Sequence, residues 1–191
     1  MEFTPGFYDA FKFSMRYEVG PNFDIEDPEV VQGCCDTRDQ RRKVGYVNIP
    51  EDRGGETKFG IAKNANADLD IRRLTLNDAM TVYYRRYWSP LNSGAFPDII
   101  GINLFDAGIN HGIYQAAKFL QRAVGTDADG IIGPVTTALV LKMNPMEVCE
   151  SILNARAALF KALAAKHPSQ RKFLRGWLNR VSSLHNYIDS L

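Results

Sequence analysis

Apolar positions recur with helical period along most of this chain, and the exceptions fall between residues 19 and 62. Phe7, Phe11, Met15 and Glu18 are spaced four, four and three apart, which predicts one face of a helix beginning just after Pro5-Gly6. Pro21 to Lys43 holds no sustained helical or strand period, so it is expected to be a solvated insertion. Tyr46-Val47-Asn48 then alternates like a short strand, Pro50 to Gly55 reads as a turn, and Thr57 to Ile61 returns as a second short strand.

Beyond this region the pattern is almost entirely helical. Thr75 to Asp78 is a capping-box-like start, and the helix it opens carries Met80, Tyr83, Tyr84, Tyr87 and Trp88 until Ser89-Pro90 stops it. Asp98 to Ile109 is apolar nearly all round, the mark of a helix enclosed by others. On it and its exit Asp106 and Asn110 stand four apart, an arrangement expected to turn both toward one cleft, with His111 following. Gln115 to Val124 is amphipathic. The Asp127-Ala128-Asp129-Gly130 stretch after it lacks the closing acid of a calcium loop and reads as a structural turn. Asn144-Pro145-Met146-Glu147 starts a helix reaching about Lys166, and Phe173, Trp177, Val181, Leu184 and Ile188 form the apolar stripe of the last one. Arg171, Lys172, Arg175 and Arg180 are expected on its solvated face. The predicted fold class is mainly α (α+β).

Composition narrows the function classes. A chain of 191 residues with 45% hydrophobic residues can bury a core as one domain, 1–191, or as two closely joined lobes. The formal charge of +1 gives no reason to expect nucleic acid, although from Ser151 onward seven basic residues face one acidic one. Three cysteines, two of them adjacent at Cys34-Cys35, make neither a disulfide framework nor a spaced zinc pair, so reduced thiols and no metal are expected. No apolar run approaches the ~20 residues of a membrane span, and the N-terminus shows no basic start followed by an apolar signal core.

Candidate chemistry lies at two places. A carboxyl at the buried edge of a helix terminus, as Glu18 would be, is partly desolvated, which favours the protonated form a general acid needs; a solvated glutamate is the plainer reading. Asp52 and Thr57 project from the expected hairpin, where an aspartate also serves as an ordinary turn residue. The aromatic group ending at Trp88 reads first as core and second as a stacking surface for sugars, and a single His111 is weak evidence for metal or base chemistry.

The run Y-V-N-x-P-x-D-R-G-G-E-T-K-F-G-I at Tyr46 to Ile61 resembles the signature of the glycoside hydrolase 108 family of peptidoglycan N-acetylmuramidases, found among phage endolysins and bacterial muramidases. Further matches follow in the family's order. They are Y-x-x-Y-W at Tyr84 to Trp88, F-D-A-G-I-N at Phe105 to Asn110, L-Q-R-A-V-G at Leu120 to Gly125, D-G-I-I-G-P at Asp129 to Pro134, and F-L-R-G-W-L-N-R-V at Phe173 to Val181. The family's glutamate immediately precedes its Gly-Gly-Tyr, but here that position is Lys43, in Lys43-Val44-Gly45. Glu18-Val19-Gly20, at the end of the first helix, is the better match, with residues 21–43 as an insertion; Glu26 and Glu51 are the other candidates for the acid.

The resemblance implies a lysozyme-like helical domain with a small β-hairpin lobe beside the catalytic cleft. It divides the chain into a muramidase-type region, 1–90, and a helical part, 91–191, similar to the family's peptidoglycan-binding region. It implies hydrolysis of the β-1,4 bond between N-acetylmuramic acid and N-acetylglucosamine without a cofactor. Glu18 would act as acid, Asp52 and Thr57 would assist, and Tyr46, Asn48, Trp88, Asn110 and His111 are candidates for holding the saccharide. A monomeric phage endolysin is expected, accumulating in the host cytoplasm, with no membrane insertion of its own, and reaching the wall in the periplasm through a separate pore protein. A lytic transglycosylase and a non-catalytic peptidoglycan-binding or structural protein are the alternatives.

Overall fold

The computed structural model describes residues 2–49 and 55–191. Among them nine α-helices and one two-stranded hairpin form, the mainly α composition that the hydrophobic pattern predicts. The chain gathers into two compact units, one built chiefly from residues 11–85 and the other from residues 3–10 and 86–191. Helix α1 (Pro5–Glu18) contributes its later turns to the first and its earlier turns to the second.

In the first unit the later turns of α1 bury Phe11 and Met15, as their spacing predicts. The segment 21–43 departs from expectation, for it contains two short helices, α2 (Pro28–Gln32) and α3 (Arg38–Val44). Local capping makes them. Asp27 accepts a hydrogen bond from the Glu29 amide at 2.8 Å with Pro28 at the first helical position. Thr37 and Gln40 form a reciprocal capping box, the Gln40 amide donating to Thr37 Oγ1 at 3.2 Å and the Thr37 amide to Gln40 Oε1 at 3.1 Å. Each helix is too short to display an apolar period, since Val30 and Val44 are their only buried residues. Lys43 joins the two, its Nζ lying 2.8 Å from Asp27 and 2.6 Å from Glu29.

The hairpin pairs β1 (Thr57–Lys58) with β2 (Ile61–Ala62), with Thr57 opposite Ala62 and Lys58 opposite Ile61. The expected second strand therefore turns back on itself at Phe59-Gly60, and the Tyr46–Asn48 stretch contributes a single bridge, Val47 to Thr57. A two-residue loop of this hand needs positive φ at both positions, and Phe59 and Gly60 have φ of 53° and 74°. Phe59 pays about 1–3 kcal/mol for that backbone. It is fully buried, its amide donates to the Val44 carbonyl at 2.8 Å, and its carbonyl accepts from the Tyr83 hydroxyl at 3.0 Å. Lys58 anchors the strand from below. Its side chain is completely buried and donates to the carbonyls of Gly33 at 2.5 Å and Arg72 at 2.6 Å. Helix α4 (Leu76–Tyr83) has the Thr75–Asp78 capping box read from the sequence, and continues through a π-helical turn, Tyr84–Trp88.

In the second unit α5 (Asp98–His111) is buried from Ile100 through Gly108, as its all-round apolarity requires. Helices α6 (Ile113–Ala123) and α8 (Pro145–Lys166) pack on it, α9 (Arg171–Asp189) packs on α8, and α7 (Pro134–Val140) lies between α6 and α8 in the chain. Asp106 does not reach a cleft. It is completely buried, 2.5 Å from an Arg156 guanidinium nitrogen and 2.7 Å from one of Arg180, so Arg180 also leaves the solvated face assigned to it. Burial alone would raise the Asp106 pKa, but the two guanidiniums outweigh it and hold the carboxyl below its ordinary value. The stripe of α9 buries Val181, Leu184 and Ile188, while Phe173 remains 49% exposed.

Candidate active site

The site is built where α1 ends and the hairpin turns. Glu18 occupies the last position of α1 and is half-buried. The hairpin comes against it at Gly60, where an ideal Cβ would lie 3.4 Å from Glu18 Cβ and 2.6 Å from the Tyr83 hydroxyl. A second approach is made by Gly45, the left-handed cap of α3, where a Cβ would lie 3.3 Å from a Val19 methyl. Both glycines have positive φ and face a neighbour that leaves little room for a side chain. Beneath the turn, Phe11, Phe23, Phe59 and Tyr83 interlock edge to face, with centroids 5.5 to 6.4 Å apart. Glu18 and Val19 thus meet Gly60 and Gly45 across the 21–43 segment that separates them in sequence.

Thr57 is half-buried in β1, its hydroxyl 3.4 Å from the Gly55 carbonyl. Tyr46 is 9% exposed and donates its hydroxyl to Glu56 Oε1 at 2.6 Å, with the guanidiniums of Arg41 and Arg72 about 6 Å from its ring. Burial and the Glu56 carboxylate push the phenol pKa up, so Tyr46 stays a neutral donor. Asn48 is exposed two residues further on. Asp52 lies outside the described residues, as does Glu51; Glu26 is exposed in the turn before α2.

The remaining candidates belong to the other unit. Trp88 is 2% exposed and edge-on to Phe7 and Phe105, so it is core and offers no ring face to a sugar. His111 packs between Phe119 and Phe160 at 5.3 and 4.8 Å, and Asn110 precedes it on α5. Burial, seconded by the charge of Arg156, lowers the His111 pKa to about 4, so the imidazole is neutral near pH 7. Among the described residues neither His111 Nε2 nor Asn110 Oδ1 has a hydrogen-bond partner. Glu56 and Lys58 of this architecture went unassigned in the sequence, and Tyr83 was read there only as part of the core aromatic group. The first two sit inside the signature itself, where their acid and ammonium were the available signal. Among the described residues no three His, Cys, Asp or Glu side chains gather to hold a metal, and no helix is long and apolar enough to cross a membrane.

With this geometry in view, two family models match in succession. One, Glycosyl hydrolase 108, covers residues 41–112, and the other, Predicted Peptidoglycan domain, covers residues 115–182. Among solved structures the chain is similar to SagA of Brucella abortus, at 30% identity with a TM-score of 0.63, covering 76% of this chain and 86% of that one. The shared fold is the mainly α, lysozyme-like one expected from the sequence. No curated protein matches. These features define a peptidoglycan hydrolase or binder. The chain belongs to the glycosyl hydrolase 108 family. The family match begins at residue 41, downstream of Glu18.

Proposed function

We propose that this chain is an N-acetylmuramidase that hydrolyses the β-1,4 bond between N-acetylmuramic acid and N-acetylglucosamine. The observation that carries the reading is the approach of Glu18 to Gly60 of the signature hairpin across the 21–43 segment. Glu18 gives its proton to the glycosidic oxygen as the C1–O4 bond breaks, positive charge spreads over C1 and the ring oxygen, and a water adds its oxygen to C1 while its proton passes to a carboxylate, that of Glu18 or Asp52. Asp52 supports that charge or orients the water, and Thr57 helps to hold it. Tyr46, whose hydroxyl donates to Glu56, accepts a hydrogen bond from a sugar hydroxyl or acetamido N–H, with Asn48 as a second binding group. The protein serves as an endolysin, made in the host cytoplasm and admitted to the wall by a separate pore.

The test is clearing of purified cell walls by wild type beside Glu18→Gln. The substitution is expected to lower the rate by about 10²–10⁴-fold while wall binding is kept. Equal clearing by both would remove Glu18 from the mechanism, and clearing by neither would leave a binding protein. Mass spectrometry of the products distinguishes reducing muramic ends, expected here, from the anhydro ends of a transglycosylase.

A further inference from the structure

Beside the end of α1 the 21–43 segment and the residues flanking it line an open cavity of about 730 Å³, whose wall includes Val19, Asn22, Arg38, Arg41, Arg42 and Tyr46. Val19 directly follows Glu18, so the cavity adjoins the proposed acid. Its charge is one-sided. Arg38 and Arg42 stand four apart on α3, both exposed, and among the described residues no carboxylate pairs with either. Arg41 is held by neutral acceptors, the carbonyls of Cys35 at 3.0 Å and Asp36 at 3.2 Å, which orient the guanidinium without cancelling its charge. Lys43 also lines the cavity but is neutralised by Asp27 and Glu29, which leaves Asp39 as the acid on the wall.

Three planar guanidiniums around one cavity suit carboxylates, which each can hold through two parallel hydrogen bonds. In peptidoglycan the N-acetylated sugars are neutral, and the carboxylates hang on the peptide stems borne by each muramic residue. We propose that Arg38, Arg41 and Arg42 form a subsite for the carboxylates of the peptide stem, supplied by the segment inserted between Glu18 and the hairpin. This rests on the peptidoglycan reading above. It makes the segment a selector for glycan that still carries its peptides.

Calorimetric titration of the whole protein with a free tetrapeptide stem tests it without any hydrolysis. Wild type is expected to bind the peptide in a salt-sensitive manner, and to bind the same peptide with amidated carboxylates much more weakly. Arg38→Gln/Arg42→Gln should weaken peptide binding by about tenfold, and Asp39→Asn, removing the opposing charge, should strengthen it by about twofold. The same affinity in wild type and the double variant, no binding by wild type, or inorganic phosphate bound as tightly as the peptide would each overturn the proposal. Peptide binding by a wild type that clears no walls would remove the muramidase reading and leave this site standing. Wall clearing without peptide binding would do the reverse.

Discussion

Gly60 comes so close to Glu18 that a Cβ on it would stand 3.4 Å from Glu18 Cβ, and only 2.6 Å from the Tyr83 hydroxyl on its other side. The glycine is therefore the point where hairpin, helix end and α4 are fitted together. Gly60→Ala must adopt φ near 74° and displace the Tyr83 oxygen, so it is expected to cost about 1–3 kcal/mol in urea denaturation. Because the displaced turn moves against Glu18, wall clearing should fall by about tenfold or more even at temperatures where the variant is folded. Unchanged stability and clearing would show that the turn does not set the position of Glu18.

Asp106 answers two buried guanidiniums, and its loss leaves both uncompensated. Asp106→Asn keeps the side-chain shape but removes the charge that faces Arg156 and Arg180, at 2.5 and 2.7 Å. Breaking a buried ion network from one side costs about 3–5 kcal/mol, and denaturation midpoints should move accordingly. Arg180→Met, which leaves Asp106 paired with Arg156, is expected to cost less. Equal losses would show that the pairings do not act as one network.

The helical part of the fold was legible because its apolar residues repeat over several turns. Phe7, Phe11 and Met15 on α1 and the all-round apolarity of α5 left few alternatives. What escaped was decided by contacts that periodicity does not encode. Helices α2 and α3 are too short to repeat, although Thr37 and Gln40 already had the spacing of a capping box. The turn at Phe59-Gly60 lacks the usual Asn-Gly or Asp-Gly pair, because Phe59 is held at positive φ by burial and by Tyr83 rather than by its own preference. Asp106 was expected at a cleft and Arg180 on a solvated face because each is charged; across 74 residues of sequence they find one another inside the second unit. Trp88 carried both meanings of an aromatic residue, and burial selects core. The proposal of Glu18 as the acid draws on its family context, since its helical spacing equally permits a solvated glutamate.

His111 makes the second unit sensitive to acid. The imidazole lies between Phe119 and Phe160, and the charged groups that act on it are Arg156, Arg180 and Asp106. In the unfolded chain it takes up its proton near 6.5, but in the fold only near about 4, chiefly because burial disfavours the charged ring and the two arginines add to that. Between these values the unfolded state binds more protons, so stability falls as pH falls through this window, by as much as about 3 kcal/mol. His111→Phe keeps an aromatic ring against both phenylalanines and removes the titration. The difference in unfolding free energy between wild type and this variant should therefore shift in the variant's favour from pH 7 to pH 4.5, measured by urea denaturation at each pH. A difference that stays constant over that range would mean the imidazole titrates alike in the folded and unfolded chain, so that burial and the arginines do not set its charge.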